Sequence, residues 1–353
     1  MDKFCVFCGE RPASKTHEHV VPYWLIKYTG DPNRKVNFGP NISTGQVMQF
    51  AFDQLKFPAC SECNQRFSKL ESDTQKIISS LVQGGSLDSG SFCTLFTWFD
   101  KVRVGLWLGY MLLNKNLYGI NPHYHIQKRI DIADRVLLIY KVQDTDRGLQ
   151  FIGVNFPFFA FVPICFGLVI NQFYFINIST DLLLSRKLGL PYSRRTIANS
   201  KGQIGVDLIE GKKRILLPLI KRNFTKNCTE IYQPIIRPEI FGSKVGWVYK
   251  NDYTKKFFVD DTPNIGRTLI IKNNKCSFYN EVPQDAWIPE KAQPRQKFKD
   301  AFVKEILDLH SRLINSLPAI EDTDNEFKKS AKQQIKFCKQ VNNLLFKRVD
   351  EEL

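Results

Sequence analysis

Two Cys-x-x-Cys pairs near the amino terminus constrain this chain more than any other feature of its sequence. They are Cys5 with Cys8 and Cys60 with Cys63, and 51 residues separate them. A structural zinc ion takes four nitrogen or sulfur ligands in a tetrahedron, and two such turns around one ion supply four thiolates. The sequence therefore predicts a zinc site that closes residues 5–63 into one module and leaves room inside it for a second motif.

The other cysteines are predicted to be ordinary residues of a protein from a reducing compartment. Nine cysteines are an odd number, which does not fit a complete disulfide framework. The first residues show no secretory pattern, and the longest apolar stretch, residues 151–178, is interrupted by proline, glycine and asparagine. We therefore expect a cytoplasmic protein without a membrane span. The five remaining cysteines are Cys93, Cys165, Cys228, Cys276 and Cys338.

Composition and charge indicate a globular protein with an anionic partner. The chain has 353 residues, of which 43% are hydrophobic, and its net charge is +15. The length suggests roughly two domains, and the apolar content excludes a disordered chain. Such a charge favours nucleic acid as the partner. A membrane surface could also attract it, but we expect no membrane partner.

The pattern along the chain predicts an α+β protein in four parts. Residues 1–85 carry the motifs, residues 86–130 a Gly/Ser linker and a long apolar helix, residues 131–290 a β-rich domain, and residues 291–353 helices. In the first part, apolar residues at helical spacing follow Asn64 and stop at two glycines, so Asn64 is placed in the first turn of a helix. Within the β-rich domain, residues 158–169 and 215–220 are among the predicted strands.

The motif between the cysteine pairs is a short run of histidines and an acid. His17, Glu18 and His19 are followed by Val20, Val21 and a proline, which is typical of a strand that enters a turn. A carboxylate and an amide oxygen suit a hard divalent cation, and a neutral imidazole can accept a proton from water. This combination suits metal-assisted hydrolysis of a phosphodiester bond.

Together these motifs resemble the HNH endonuclease family. The resemblance covers residues 4–75: a Cys-x-x-Cys pair, the sequence Glu-His-Val-Val-Pro, and a second Cys-x-x-Cys pair followed by Asn64 and a helix with Phe67 and Glu71. The family implies a ββα-metal fold, in which a β-hairpin and a helix hold one catalytic ion, and in a subset of its members two Cys-x-x-Cys pairs hold a structural zinc. It implies an endonuclease that leaves 5′-phosphate and 3′-hydroxyl ends.

The resemblance also assigns roles to individual residues. His19 would be the general base, and Glu18 and Asn64 would bind a catalytic Mg²⁺ or Mn²⁺, with Glu18 in place of the more usual aspartate. The four cysteines of the two pairs would bind the structural zinc. The family often has a further asparagine before the second pair, and this chain lacks it, so Asp53 or Gln54 is left as the candidate that orients His19.

Two alternatives stay open around this motif. On a regular strand His17 and His19 would share a face and Glu18 would point away, which would make His17 the second metal ligand. If the strand ends or bulges at this point, Glu18 is the ligand, and this is the arrangement we favour. Glu71 lies on the same helix face as Asn64, but we expect it to be a surface acid rather than a support of the site.

The basic surplus lies mainly outside the motif-bearing part. Residues 186–275 contain 19 basic and 7 acidic residues, whereas residues 1–85 contain 10 and 8. Lysine and arginine can neutralise phosphates, so this segment is a candidate nucleic-acid surface. Its clusters are Arg194, Arg195, Lys212, Lys213 and Arg214.

The preferred interpretation is an HNH nuclease that acts on DNA rather than RNA. The apolar stripes of the C-terminal helices suggest a protein partner or a second copy of the chain. HNH modules joined to large unassigned domains resemble restriction and phage-defence nucleases. The alternative is a non-catalytic, zinc-stabilised protein that binds nucleic acid or acts as a scaffold. A nucleobase deaminase fits poorly, because His17 and Glu18 are adjacent instead of separated by one residue.

Overall fold

We describe the protein from a computed structural model. It combines helices with mostly antiparallel sheets, so the predicted mixed α+β class is confirmed. The described residues are 4–12, 14–40, 44, 46–51, 56–114, 126–143, 147–181, 183–190, 192–198, 204–209, 216–235, 258–259, 262–272, 275–278, 294–316, 319–321 and 325–351.

The first part of the chain, which we call the head (residues 4–82), is built on two strands and a helix. Strand β1 (Lys15–His19) pairs antiparallel with β4 (Lys56–Cys60), and helix α2 (Ser61–Val82) follows β4 directly. The helix ends where Gly84 takes a positive φ of 86°. The predicted helix after the second cysteine pair is therefore confirmed. The head also contains α1 (Tyr23–Tyr28) and the antiparallel pair β2 (Lys35–Pro40) and β3 (Val47–Ala51).

Helix α3 (Ser89–Leu113) joins the head to the rest of the molecule. Its N-cap, Asp88, accepts a hydrogen bond of 2.7 Å from the backbone N–H of Ser91. It is apolar on most of its faces, and a helix of this kind is buried on several sides. Accordingly, the core that contains α3 also contains residues of α1, of α2 and of the large sheet. This core crosses the predicted domain limits at residues 85 and 130.

A seven-stranded antiparallel sheet forms the centre of the molecule. Its strand order is β15-β14-β11-β5-β8-β7-β6. The strands that follow the head are β5 (Asp134–Lys141), β6 (Leu149–Ile152), β7 (Cys165–Ile170), β8 (Phe173–Thr180), β9 (Tyr192–Ala198), β10 (Ile204–Ile209), β11 (Thr229–Gln233), β12 (Phe258–Val259), β13 (Thr262–Gly266), β14 (Leu269–Lys272), β15 (Lys275–Phe278) and β16 (Ala319–Glu321). Strands β10, β9 and β16 form a smaller sheet, and β12 pairs with β13.

The two faces of the large sheet belong to different cores. Because side chains alternate along a strand, Leu137 and Phe175 face α3 and the head, whereas Leu138 and Tyr174 face the C-terminal helices. The remaining α-helices among the described residues are α4 (Pro157–Phe161), α5 (Ser185–Leu188), α6 (Arg295–Ser316) and α7 (Asn325–Glu351). The head and the two long C-terminal helices, α6 and α7, therefore lie on opposite sides of one sheet.

Helix α6 packs very closely against the large sheet. A Cβ atom at Gly167 in β7 would meet Ile306 Cδ1 and would lie 2.8 Å from Phe302 Cε1 of this helix, so a larger residue there would force these side chains to move. No helix among the described residues is long and apolar enough to cross a membrane.

Candidate functional site

The four cysteines of the two pairs come together in the head. Their sulfur atoms all lie within 4.8 Å of one another, and Cys8 Sγ is 4.0 Å from Cys60 Sγ. Tetrahedral zinc with bonds of about 2.3 Å places its sulfur ligands about 3.8 Å apart, which is close to this spacing. Cys5, Cys8, Cys60 and Cys63 can therefore bind a metal such as zinc.

Backbone contacts hold the first pair against the second. The Val6 N–H donates to the carbonyl of Pro58 at 2.9 Å, which attaches the first turn to β4. The backbone N–H of Cys60 donates to Cys5 Sγ at 3.3 Å. Pro58 has no N–H, and its place in a two-stranded sheet is compatible with that loss. Cys63 lies in the first turn of α2, so the helix itself presents the fourth sulfur.

The thiols of this cluster differ in how readily they ionise. Burial raises the pKa of Cys5, but the backbone N–H groups of Cys8, Cys60 and Phe7 outweigh it, so the pKa of Cys5 is lowered. Burial and the neighbouring sulfurs raise the pKa of Cys63, and burial chiefly raises that of Cys8. Sulfurs packed this closely repel one another when ionised, and a bound cation would relieve that repulsion.

Strand β1 presents its histidines and its acid on opposite faces. Its pairing with β4 runs without a register shift from Lys15 to His19, so the strand is regular up to the point where it ends. Glu18 pairs with the buried Phe57 and therefore faces the interior. His17 is exposed and shares the outer face with His19.

Asn64 faces the same side of β1 as Glu18. Its Nδ2 donates to Thr16 Oγ1 at 3.1 Å and lies 3.5 Å from the carbonyl oxygen of His17. Thr16 and Glu18 are two residues apart and therefore share a face of the strand. The inner face of β1 thus carries Glu18 on the side that Asn64 approaches, and His17 and His19 lie on the other face. The strand has no bulge that would turn Glu18 and His19 to the same side.

A buried lysine connects Glu18 to helix α2. Lys101 Nζ in α3 lies 2.6 Å from Glu18 Oε1 and also binds Glu71 Oε1, and the Lys101 side chain is only 4% exposed. Burial raises the pKa of Glu18 although Lys101 opposes this effect. Burial lowers the pKa of Lys101, but the charges of Glu71 and Glu18 outweigh it and raise this pKa. We call Glu18, Lys101 and Glu71 the carboxylate–lysine cluster.

Glu71 is a largely covered member of this cluster, so its assignment as a surface acid was wrong. Its side chain is 14% exposed, and Glu71 Oε2 accepts hydrogen bonds from Trp24 Nε1 at 2.5 Å and from Trp98 Nε1 at 3.1 Å. Lys101 was missed as well. It lies 83 residues from Glu18 along the chain, in a helix whose sequence is otherwise mostly apolar, and a lysine in such a helix was the one available signal.

His19 lies where β1 ends and the chain turns toward α1. Its ring centroid is 5.5 Å from that of Tyr23. Val20 and Val21 follow and are buried, which fixes the backbone directly after His19.

The other predicted site residues have side chains that the structure does not describe. Asp53, Gln54, Lys212, Lys213 and Arg214 lie outside the described residues. Arg194 and Arg195 belong to β9, but their side chains are outside the described part of the structure. Within the described residues, the four cysteines are the only group of three or more histidine, cysteine or acidic ligand atoms close enough to share an ion.

We find no protein-family model, curated protein or solved structure that matches this chain. The geometry of the head is therefore the basis of the functional proposal.

Proposed function

We propose that the protein is a metal-dependent endonuclease of the HNH type that hydrolyses phosphodiester bonds in DNA. The observation that supports this most is the arrangement around β1. Glu18 lies on its inner face, Asn64 of α2 approaches the same face, and His19 stands at its end. Strand pairing holds β1 to β4, and the cysteine cluster joins the end of β4 and the start of α2 to the turn at Cys5 and Cys8. Zinc at that cluster would be structural, because four cysteines fill its coordination sphere.

The catalytic ion would be Mg²⁺ or Mn²⁺, held by Glu18 and Asn64. Hard divalent cations prefer oxygen ligands, and Glu18 Oε2 and Asn64 Oδ1 have no partner among the described residues. Lys101 engages only the other oxygen of Glu18. When bound, such an ion polarises the phosphate and stabilises the charge that develops during hydrolysis.

His19 would take the proton from the attacking water. His19 lies on the face of β1 opposite Glu18, at the point where the strand ends, so this role requires the attacking water to reach His19 around the end of the strand. His17 is exposed beside it on the outer face, where it would contact a phosphate rather than the ion that Glu18 holds. By resemblance, a role in restriction or phage defence in the bacterial cytoplasm is part of the same proposal.

Cleavage of supercoiled plasmid DNA with added Mg²⁺ or Mn²⁺ tests the proposal. We expect wild-type protein to nick the plasmid only when the divalent ion is present. The variant His19→Ala should lose about 100-fold or more in rate, the usual contribution of general base catalysis. His17→Ala is the matched control on the same strand, and we expect a smaller loss from it.

Equal cleavage by wild type and His19→Ala would refute the role of His19. If wild-type protein binds one zinc but cleaves neither DNA nor RNA with any divalent ion, the non-catalytic alternative is correct.

A further inference from the structure

Helix α7 carries an exposed basic surface that the proposed cleavage site does not use. The helix contains seven lysine or arginine residues and three acids, and the acids, Glu326, Asp350 and Glu351, lie near its two ends. Its other side is fixed to the protein, since Cys338 and Asn342 are 1% and 2% exposed. The direction in which the basic side chains point is therefore set by packing.

Several of these side chains form one line along the helix. At about 100° per residue, the members lie within about 80° of one another around the axis and extend over about 27 Å. All of them are exposed. We call this set the lysine stripe, and it consists of Lys329, Lys332, Lys336, Gln340, Asn343 and Lys347.

The charges of the lysine stripe are not neutralised within the described protein. None of its four lysines has an acidic partner among the described residues, and no acid lies within the stripe. Elsewhere the molecule does pair such charges: Lys69 and Lys76 of α2 flank Asp73, and Arg312 of α6 binds Asp308 at 2.9 Å. An external anion is therefore the natural partner of the stripe.

We propose that the lysine stripe of α7 binds the phosphate backbone of a nucleic acid. Lysines neutralise phosphates, and the amide groups of Gln340 and Asn343 between them can hydrogen-bond to phosphate and sugar oxygens. Phe337 and Leu344, which are 49% and 60% exposed, lie along one edge of the stripe. A second copy of α7 would fit this surface poorly, because it would bring four more lysines against these four.

This surface is distinct from the proposed cleavage site. The head packs on one face of the seven-stranded sheet, and α7 belongs to the core on the other face. The stripe would hold a nucleic acid away from His19. The choice of nucleic acid rather than another polyanion rests on the proposed function, but binding at the stripe can be measured without cleavage.

The test is fluorescence anisotropy with a labelled 20-base-pair DNA duplex, without added divalent ion, from 50 to 300 mM salt. Each lysine–phosphate contact contributes about 0.9 to the slope of log K against log[salt]. The double variant Lys332→Gln/Lys336→Gln should therefore flatten the slope by about 1.8 and weaken binding roughly 60-fold at 0.1 M salt. The control Lys128→Gln/Lys275→Gln removes two exposed lysines elsewhere and should bind within about twofold of wild type.

Wild-type slope and affinity in Lys332→Gln/Lys336→Gln, with unchanged thermal unfolding, would overturn the proposal. Loss of poly-glutamate binding in this variant, with duplex binding intact, would assign the stripe to an acidic protein instead. If the stripe binds the duplex but the protein does not cleave DNA, only the nuclease proposal is refuted. If the protein cleaves DNA but the stripe does not bind the duplex, only this inference is refuted.

Discussion

Lys101 carries one positive charge that serves two carboxylates from different elements of the head. Glu18 comes from β1 and Glu71 from α2, and the ammonium group also lies 5.9 Å from the ring centroid of Phe7 beside the first cysteine pair. Removing one partner of a buried ion pair leaves an uncompensated charge, and this costs more folding free energy than replacing both partners with apolar residues. The carboxylate–lysine cluster therefore fixes where the proposed metal ligand Glu18 points.

Replacing this lysine should destabilise the protein strongly. We expect Lys101→Met to lower the free energy of unfolding by about 3–5 kcal/mol, because two acids are left in the interior without a counter-ion. Adding Glu71→Gln to this variant should restore part of the loss. Urea denaturation followed by tryptophan fluorescence measures both effects, since Trp24 and Trp98 contact the cluster.

Lys76→Met is the matched control, because Lys76 is an exposed lysine of α2 whose side chain is 76% accessible. Its stability should change by no more than about 0.5 kcal/mol. A similar small effect for Lys101→Met would mean that the cluster does not hold the head together.

At the scale of single residues, the sequence predicted the cysteine cluster but not the side chains that contact Glu18. Spacing alone was enough to place Cys5, Cys8, Cys60 and Cys63 together, because two short motifs around one ion leave few arrangements. Lys101 could not be found in this way, because a contact between Glu18 and a residue 83 positions away leaves no local pattern. The same reason explains why Glu71 was assigned to the surface.

At the scale of the elements, the fold of β1, β4 and α2 depends on the cysteine cluster. The cluster joins the turn at Cys5 and Cys8 to the end of β4 and the start of α2. Phe7 stacks on Phe67 of α2 with their ring centroids 4.2 Å apart. Metal binding at such a place contributes directly to folding free energy.

Loss of the metal should therefore loosen the head. We expect wild-type protein to contain one zinc per chain and Cys60→Ala to contain none. This variant should become sensitive to protease within residues 4–82, since two of its elements lose their shared anchor. Metal analysis and limited proteolysis measure the two effects.

Cys93→Ala is the control for this experiment, because Cys93 lies in α3, apart from the cluster. It should keep its zinc and its protease resistance. Wild-type protein that folds normally without any zinc would contradict the prediction.

Helices were predicted from the sequence more reliably than some strands. Residues 158–169 were predicted to be a strand, but Pro157 begins helix α4 and the strand β7 starts only at Cys165. Proline is favoured at the first position of a helix, and this signal was outweighed by the phenylalanines that follow. The predicted strand at residues 215–220 was also wrong as far as it is described. There Lys187 Nζ binds the carbonyls of Pro218 and Leu219, so side-chain contacts replace strand pairing.

The whole molecule is organised around the large sheet, and buried acids make its stability depend on pH. Asp134 in β5 accepts hydrogen bonds from the hydroxyl of Tyr232 at 2.7 Å and from the N–H of Ile235 at 3.0 Å. Burial raises the pKa of Asp134 to about 7 even though these bonds lower it. The folded protein thus holds this proton at a pH where the unfolded chain, with an ordinary pKa near 4, has released it.

Stability should therefore fall as pH rises from about 4 to about 7. In that range the folded state binds more protons than the unfolded state, so the free energy of unfolding decreases by as much as about 4 kcal/mol from this group. Asp134→Asn keeps the shape of the protonated acid without titrating, and its stability should fall less over the same range. Thermal unfolding of both proteins at pH 5, 6, 7 and 8 gives the difference, and parallel curves would contradict the assignment.

The shared core has a consequence for how such a protein can evolve. Lys101 and the apolar side chains of α3 complete the interior of the head, although they lie beyond the Gly/Ser segment at residues 84–90. A genetic exchange with its breakpoint in that segment would transfer the cysteine cluster and His19 but leave behind the lysine that neutralises Glu18 and Glu71. The smallest segment that could be transferred with its function intact therefore extends through α3. Selection on the proposed chemistry also acts on Lys101, which touches no substrate.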